Sequence, residues 1–446
     1  MIKTELSQTN ETAIRTAGRL GADDAVSISF LHNEVMARFA NNSLTVAKRI
    51  KETSLLVYLA SKSRRIVGAS SNPEESSVKR FVANLHASLM SLPKEANFAG
   101  LPETARKYTA SNRYDKKIGE LEDGISDLAQ EAIESALSAG ADRTAGAIEA
   151  TDGEVHLLTL SGTEGTDRGS KILLNVRAFT DSDASGHGLS CYSTLRNLDP
   201  REAGRRAGDH AKRMMKSKRP EEGSYERLMG PTVASNLVSL MGYFASAFSV
   251  DAGTSYMAGK LNKKIASSDF TLKDHGQSEG TLEGRGFDDE GLSTQTTTII
   301  EEGSLSNYLH NLTTAKKFGA RSTGNAGWIE PHPWNLEVSP GRASYEEMVK
   351  ETKRGIILTS NWYTRFTNYR TGEFSTVPRD GAYLVENGEV VSPLSGLRVS
   401  DNLERMFSSM QIVSKEREWI QWWEVDIPTL CPWILVDGVR VTRAYG

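Results

Sequence analysis

Residues 284–291 read GRGFDDEG, and Asp288, Asp289 and Glu290 place three carboxylates in a row between glycines. Such oxygen density suits either a bound cation or a sharp, solvated turn. On a strand, Asp288 and Glu290 would share one face and Asp289 the other, and the run lacks the alternating D-x-D-x-D-G pattern of a calcium loop. A turn or strand end is therefore expected, with the carboxylates accepting backbone N–H groups near Gly291 on the wall of a central cavity. His275, His310 and His332 are the histidines of the second half. They lack helical spacing and are expected as surface or hydrogen-bonded core residues, a three-histidine metal site being the alternative. Ser193, Ser322 and Ser360 have no G-x-S-x-G context, which argues against serine hydrolysis. The stretch STGNA, Ser322 to Ala326, has too little glycine and no following lysine for a phosphate loop. Either it exposes backbone along a peptide groove, or it closes a turn after a helix through TAKKFGAR. The cluster WIQWWEV, residues 419–425, fits a buried core or, as preferred, a dimer interface.

The elements that must position these groups fall into two halves. The chain has 446 residues, a length that suits two or three domains. Lys plus Arg total 53 against 57 Asp plus Glu, a net charge of −4, which gives no electrostatic footprint for nucleic acid. Cys191 and Cys431 are far apart and form neither a metal pair nor a disulfide framework, so a reducing cytoplasm is expected. The N-terminal MIKTELSQTNETAIRTAG has no apolar segment of signal-peptide type. Residues 231–250 carry no charge, but Thr232, Ser235, Asn236, Ser239, Ser246 and Ser249 are too polar for lipid. A buried helix is expected there, not a membrane span.

An internal repeat runs through the first half. AIRTAGRLGADDAVSIS from Ala13 and AIESALSAGADRTAGAI from Ala132 each read as a helix ended by glycine, at Gly21 and Gly140. TSLLVYLA (53–60) and SKILLNVRA (170–178) recur at a similar offset, and each unit ends in a second helix: EESSVKRFVANLHASLM and DPREAGRRAGDHAKRMMKS. The second half holds all seven tryptophans and several hairpin signals. These are Asn387-Gly388 in AYLVENGEVVSP, Asp437-Gly438 in WILVDGVRV and Gly303 in QTTTIIEEGSLSNYLHN. One helix stands among them, capped by Ser344 with Glu347 completing a capping box and Gly355 as its stop. The predicted class is α+β: an N-terminal α/β domain (1–222) with an antiparallel sheet and two helix–sheet units from a duplication, and a β-rich, barrel-like C-terminal domain (223–446).

The run from Gly284 to Ala326 resembles the signature region of the TldD/PmbA family. Phe287-Asp288-Asp289-Glu290-Gly291 is followed by Ile-Glu-x-Gly, a Tyr-Leu pair and Ser322-Thr323-Gly324-Asn325-Ala326. FAGLPE (98–103) resembles the family's N-terminal Gly-Leu-Pro signpost, and AYLVENGEVVSP and WILVDGVRV its closing hairpins. The resemblance covers essentially the whole chain. It implies an α/β domain followed by a β-rich domain, and a pair of subunits, TldD with TldE (PmbA), acting as a cytoplasmic zinc-dependent peptidase on small or unfolded peptides. The catalytic TldD side carries a His-Glu-x-x-x-His helix that grips zinc, with the glutamate as general base and a cysteine near the C-terminus as a further ligand.

Here the pattern departs. GTSYMAGKLNKKIAS, from Gly253, resembles the segment after the metal helix, and counting back places Val238, Ser239 and Tyr243 at the vestigial motif positions. Valine offers no lone pair, serine is a poor general base, and tyrosine would need a strongly lowered pKa to ligate. No histidine occurs between His210 and His275, and Cys431 falls beyond the expected ligand cysteine. The resemblance is thus to the TldE (PmbA) branch. It implies a non-catalytic subunit with no cofactor of its own, zinc residing in a TldD-like partner. The partner arrangement is a heterodimer with that chain or a homodimer, with a peptide substrate and neither nucleic acid nor membrane. The peptide groove is assigned to Asp288, Asp289, Glu290, Ser322, Thr323, Gly324 and Asn325. Two alternatives are a self-associating regulatory protein of gyrase-modulator type and a metal-independent hydrolase using Ser239 or Tyr243.

Overall fold

The computed structural model of the chain describes residues 5–95, 98–109, 113–181 and 184–443. Its first half is built twice from one plan. Helix α1 (Glu5–Arg19) leads into strands β1 (Asp24–Ala40), β2 (Ser43–Ser61) and β3 (Arg64–Ser70) and helix α2 (Glu75–Leu89). After the short β4 (Lys107–Tyr108) and α3 (Lys116–Gly119), the plan recurs. Helix α4 (Gly124–Ser138) is followed by β5 (Arg143–Thr159), β6 (Glu164–Phe179), β7 (Ser185–Tyr192) and α5 (Pro200–Arg213). The repeated glycines end their helices alike. Gly21 and Gly140 both take positive φ, and the residue after each bonds back five positions, Ala22 to Ala17 and Ala141 to Ala136. These are the backbone marks of a left-handed helix stop.

The two copies meet strand to strand. β1 pairs antiparallel with β5 along almost its whole length, giving the order β3-β2-β1-β5-β6 with β7 beyond β6. All four long helices cover one face. Leu55, Val57 and Leu59 face α1 and α2, and Ile148, Ile172 and Leu174 face α4 and α5. The period-two alternation of strands leaves Val26, Ile28, Tyr58 and Leu157 as an apolar patch on the opposite face.

The second sheet begins at β8 (Gly223–Met229). Helices α6 (Pro231–Phe244) and α7 (Ala247–Asp251) follow, then β9 (Leu272–His275), β10 (Thr296–Glu301), β11 (Ser304–Leu305), α8 (Leu312–Phe318), β12 (Leu336–Val338) and α9 (Tyr345–Glu351). The remainder is β13 (Arg354–Leu358), β14 (Asn361–Asn368), β15 (Glu373–Pro378), β16 (Ala382–Glu386), β17 (Glu389–Pro393), β18 (Leu397–Asn402), α10 (Leu403–Ser408), β19 (Met410–Trp422) and β20 (Val425–Arg443). The α+β class holds, but the expected barrel does not close. Strand β20, 19 residues long, is a spine: it pairs with β19 and then β18 along one edge, and with β12 and then β8 along the other. A strand that changes neighbours along its length branches the sheet and leaves it open.

Two local expectations are corrected by the same strand logic. Asp437-Gly438 makes no hairpin. It lies inside β20, where the register against β8 slips between Val436 and Val439 and Gly438 takes φ +67, a bulge in a strand already paired on both sides. Gly355 does not stop the helix capped by Ser344, which ends at Glu351, and instead lies in β13. The other turns form as expected. Asn387-Gly388 and Glu302-Gly303 both hold two positive φ values, as a type I′ hairpin requires, and Ser344 and Glu347 make the reciprocal capping box. The uncharged segment is the buried helix α6, ending at Phe244, with Val233, Ala234, Leu237, Val238 and Met241 in the core. Asn236 on that helix is satisfied by Asn361 and Thr364 at 2.8 and 2.6 Å. Among the described residues, no helix is long and apolar enough to cross a membrane.

Candidate functional site

The GRGFDDEG segment is one junction between the two sheets, and its first task is apolar. Phe287 is fully buried against the patch formed by Val26, Ile28, Tyr58 and Leu157. A Cβ at Gly165 on β6 would meet that ring at 2.6 Å, so the glycine admits the phenyl group. Hydrogen bonds from the first sheet flank the ring: Asp167 accepts the N–H of Gly286 at 2.8 Å, and the Tyr108 hydroxyl donates to the Gly291 carbonyl at 3.0 Å. The Arg113 guanidinium donates to the Gly284 carbonyl. The turn expected at FDDEG is present, but it is buried where a solvated one was expected, because Phe287 carries it into the sheet.

The acids follow from that burial. Asp288 Oδ1 accepts the N–H groups of Glu290 and Leu292 at 3.1 and 2.9 Å, and Oδ2 that of Ala326 at 3.2 Å. Asp289 pairs with Arg285, and Glu290 accepts the N–H of Leu312, in the first turn of α8, at 2.8 Å. Burial raises the Asp288 and Glu290 carboxyls well above the usual range, and the negative charge of Asp288 raises Glu290 further. Such groups organise backbone at the expense of their own ionisation.

The structure brings the second segment to the first. The Asp289 N–H donates to the Ala326 carbonyl at 3.1 Å, so FDDEG and STGNA form one unit. Ser322 accepts the N–H of Gly324 at 3.3 Å and Thr323 that of His310 at 2.8 Å. Asn325 donates to Asp274 at 2.6 Å and to the His332 carbonyl at 2.9 Å. Asp274 also takes the N–H groups of Trp334 and Asn335, and burial lifts its carboxyl to about 6. Of the seven residues assigned to the groove, Ser322 is the partly exposed one and the other six are buried.

A cleft of about 310 Å³ opens beside this unit, between the open face of the first sheet and residues 282–285. Phe30, Arg113, Asp167, Lys171, Glu283 and Arg285 line it, while the acids 288–290 lie behind its wall. Arg285, held by Asp289 and within 5.8 Å of the ring centres of Phe30, Phe287 and Trp334, is what the acids present to the cleft. Its role had no sequence signal, although it stands between Gly284 and Gly286.

The vestigial motif positions do not converge. Val238 and Ser239 are buried, the Ser239 hydroxyl donating to the Asn236 carbonyl at 3.0 Å, whereas Tyr243 is 40% exposed. Burial raises the Tyr243 pKa, the opposite of what ligation needs. Cys431, buried in β20, has its thiol pushed up to about 12 by burial. These residues do not fit zinc. Among the described residues, no three His, Cys, Asp or Glu side chains are grouped to hold a metal ion. The three C-terminal histidines lie apart: His275 against Glu337 at 2.9 Å, His310 against Thr314 at 3.2 Å, and His332 packed on Trp334.

Spacing gave no signal for one relay. His187 Nδ1 lies 3.0 Å from the Ser360 hydroxyl and its Nε2 3.0 Å from Asn175 Oδ1, the order of nucleophile, base and orienting group. Ser360 is fully buried, and burial holds His187 down at about 4. A nucleophile without access and so weak a base make this a packing device. The WIQWWEV segment is strand up to Trp422, and Trp423, just beyond it, is 53% exposed beside Tyr363 at 47%.

Residues 113–215 match the PmbA/TldA metallopeptidase central domain and residues 222–443 the PmbA/TldA metallopeptidase C-terminal domain. A metalloprotease of Methanocaldococcus jannaschii is 31% identical over 222 residues, 48% of each chain. Metalloprotease PmbA of Escherichia coli O157:H7 is 30% identical over 197 residues, 43% of this chain and 42% of its own. The chain thus spans about half the length of the curated relatives it matches, or less. Among solved structures, a putative modulator of a DNA gyrase from Thermotoga maritima superposes with a TM-score of 0.86 over 98% of this chain and 99% of its own, at 24% identity. TldE from Thermococcus kodakarensis gives 0.86 over 97% and 99%, at 20% identity.

Proposed function

Because the chain belongs to the PmbA/TldD metallopeptidase family, we propose that it is a TldE-type, zinc-free subunit that pairs with a TldD-type catalytic chain in the cytoplasm to process small or unfolded peptides. One observation carries the reading: helix α6 buries Val238 and Ser239 in the core and sends Tyr243 outward, where the catalytic branch needs ligands converging on one ion. The role is architectural. The chain closes half of a chamber, and the Arg285 cleft and a strand edge receive the peptide. Strand β17 supplies such an edge, since it pairs with β16 at one end of the sheet and exposes Val390 and Val391. The exposed pair Trp423 and Tyr363 supplies an aromatic anchor for the partner. Mixing the purified chain with a TldD-type partner and following cleavage of a short unstructured peptide tests this: cleavage requires the partner's zinc and increases when this chain is added. Cleavage by this chain alone contradicts it.

The alternative of a self-associating regulatory protein draws on the gyrase-modulator name of the Thermotoga neighbour. At net charge −4 such an effect would act through proteins, not through direct DNA contact.

A further inference from the structure

A second cleft, of about 450 Å³, lies where the far end of the first sheet meets the β15–β16 corner. Arg143, Arg177 and Arg379 line it, and Asp380 is the acidic residue among its described lining. Asp380 is 2% exposed and already engaged: Arg177 grips it through two contacts of 3.1 and 2.7 Å, and Trp362 Nε1 donates to it at 2.8 Å. Burial would raise this carboxyl, but the guanidinium of Arg177 outweighs that and holds it below the usual range. One of three guanidinium charges is thereby neutralised.

The other two form no ion pair among the described residues, although Asp142 and Asp181 border Arg143 on an adjoining cleft. Arg143 stacks on Phe179 at 4.4 Å from the ring centre, and Arg177 lies 4.8 Å from the same ring. Arg379 lies 5.5 Å from the centre of the Tyr363 ring. Among the described residues, the carboxylate lining the cleft, Asp380, is paired with Arg177 and not with Arg143 or Arg379. A guanidinium stacked on a ring keeps its N–H donors at its edge, free for a planar oxyanion. The Ser217 hydroxyl also borders the cleft. Both side chains line the one cleft, and the rings that hold them lower the ordering cost of binding an anion there.

We propose that this cleft is an oxyanion site for a carboxylate or phosphate group, held by Arg143 and Arg379 beside the Arg177–Asp380 pair. Every group it uses belongs to this chain, and because Tyr363, which holds Arg379, is also the ring proposed above as the partner's anchor, the site is tested on the chain alone. The test is calorimetric titration of the full chain, without a partner, with three probes: inorganic phosphate, an N-acetylated dipeptide with a free C-terminal carboxylate, and its C-terminal amide. The proposal expects saturable binding of phosphate, the free acid or both, none of the amide, and at least tenfold weaker binding in the Arg143→Gln/Arg379→Gln variant. Phosphate alone identifies a phosphate ligand, and the acid without the amide identifies a peptide terminus. Both substituted side chains are exposed, and an unchanged thermal melt confirms the fold. If the double variant melts early, Arg379→Gln alone carries the same tenfold threshold. No saturable binding of either anion, equal binding of amide and acid, or a loss smaller than tenfold overturns the proposal.

Discussion

The ring of Phe287, from the C-terminal half of the chain, rests directly on Gly165 of the first sheet, so closely that a Cβ there would lie 2.6 Å from it. This insertion and the hydrogen bonds around it join the two halves here, as the Arg177–Asp380 pair and the His187–Ser360 contact do elsewhere. Gly165→Ala is expected to destabilise the protein by about 1–3 kcal/mol through overpacking, and Phe287→Ala by about 3–5 kcal/mol. Denaturant unfolding of both variants and of the double variant checks this. The double variant should be less destabilised than the sum, since the added methyl no longer meets a ring. Strict additivity would mean that the contact does not join the halves.

Asp288 organises the turn behind that ring. Replacing it with alanine leaves the N–H groups of Glu290, Leu292 and Ala326 without their acceptor. A loss of about 3 kcal/mol or more is expected, whereas Asp288→Asn, which keeps one acceptor oxygen, should lose less. Amide hydrogen exchange at Leu292 and Ala326 should accelerate in the alanine variant. Unchanged exchange there would contradict the assignment.

Asp274 gives the protein a pH dependence of defined sign. Its carboxyl is raised from 3.8 to about 6 by burial, so between those values the folded state keeps a proton that the unfolded chain has released. Its stabilising effect is complete below the lower value and is lost as pH rises through the upper one, a swing of about 3 kcal/mol. Unfolding free energies of the wild type and Asp274→Asn, measured from pH 4 to 8, should therefore diverge in slope, the variant being flatter. Parallel curves would contradict the assignment.

Much of this architecture could be read from the sequence. The repeat around Gly21 and Gly140, the type I′ turns at Asn387-Gly388 and Gly303 and the Ser344 cap were visible because each depends on a local backbone requirement that few residues meet. What escaped depended on distant partners. Gly438 carries the same turn signal as Gly388, but β20 is flanked on both edges, so the glycine makes a bulge. The acids 288–290 looked solvated because the residue that buries them, Phe287, meets a patch more than a hundred positions upstream. The grouping of Arg143 with Arg379 likewise had no sequence signal, because Arg143 begins β5 of the first sheet and Arg379 lies in the β15–β16 connection of the second half.

The exposed pair Trp423 and Tyr363 gives the partnership a physical handle. Trp423→Ala should leave the chain's own stability within about 0.5 kcal/mol but weaken association with a TldD-type partner by about 2 kcal/mol or more. Denaturant unfolding of the isolated chain checks the first effect and analytical ultracentrifugation of the mixed chains the second. Undiminished association would place the interface elsewhere.

The central claim is that this chain holds no zinc of its own and contributes by pairing. Its most direct test is elemental analysis of the isolated full-length chain and of its complex with a TldD-type partner, each equilibrated with zinc and then desalted. The account predicts no stoichiometric zinc on the isolated chain, with the metal appearing in the complex in proportion to the partner. Zinc bound in equal ratio to the isolated chain, and held by its own side chains, would contradict it.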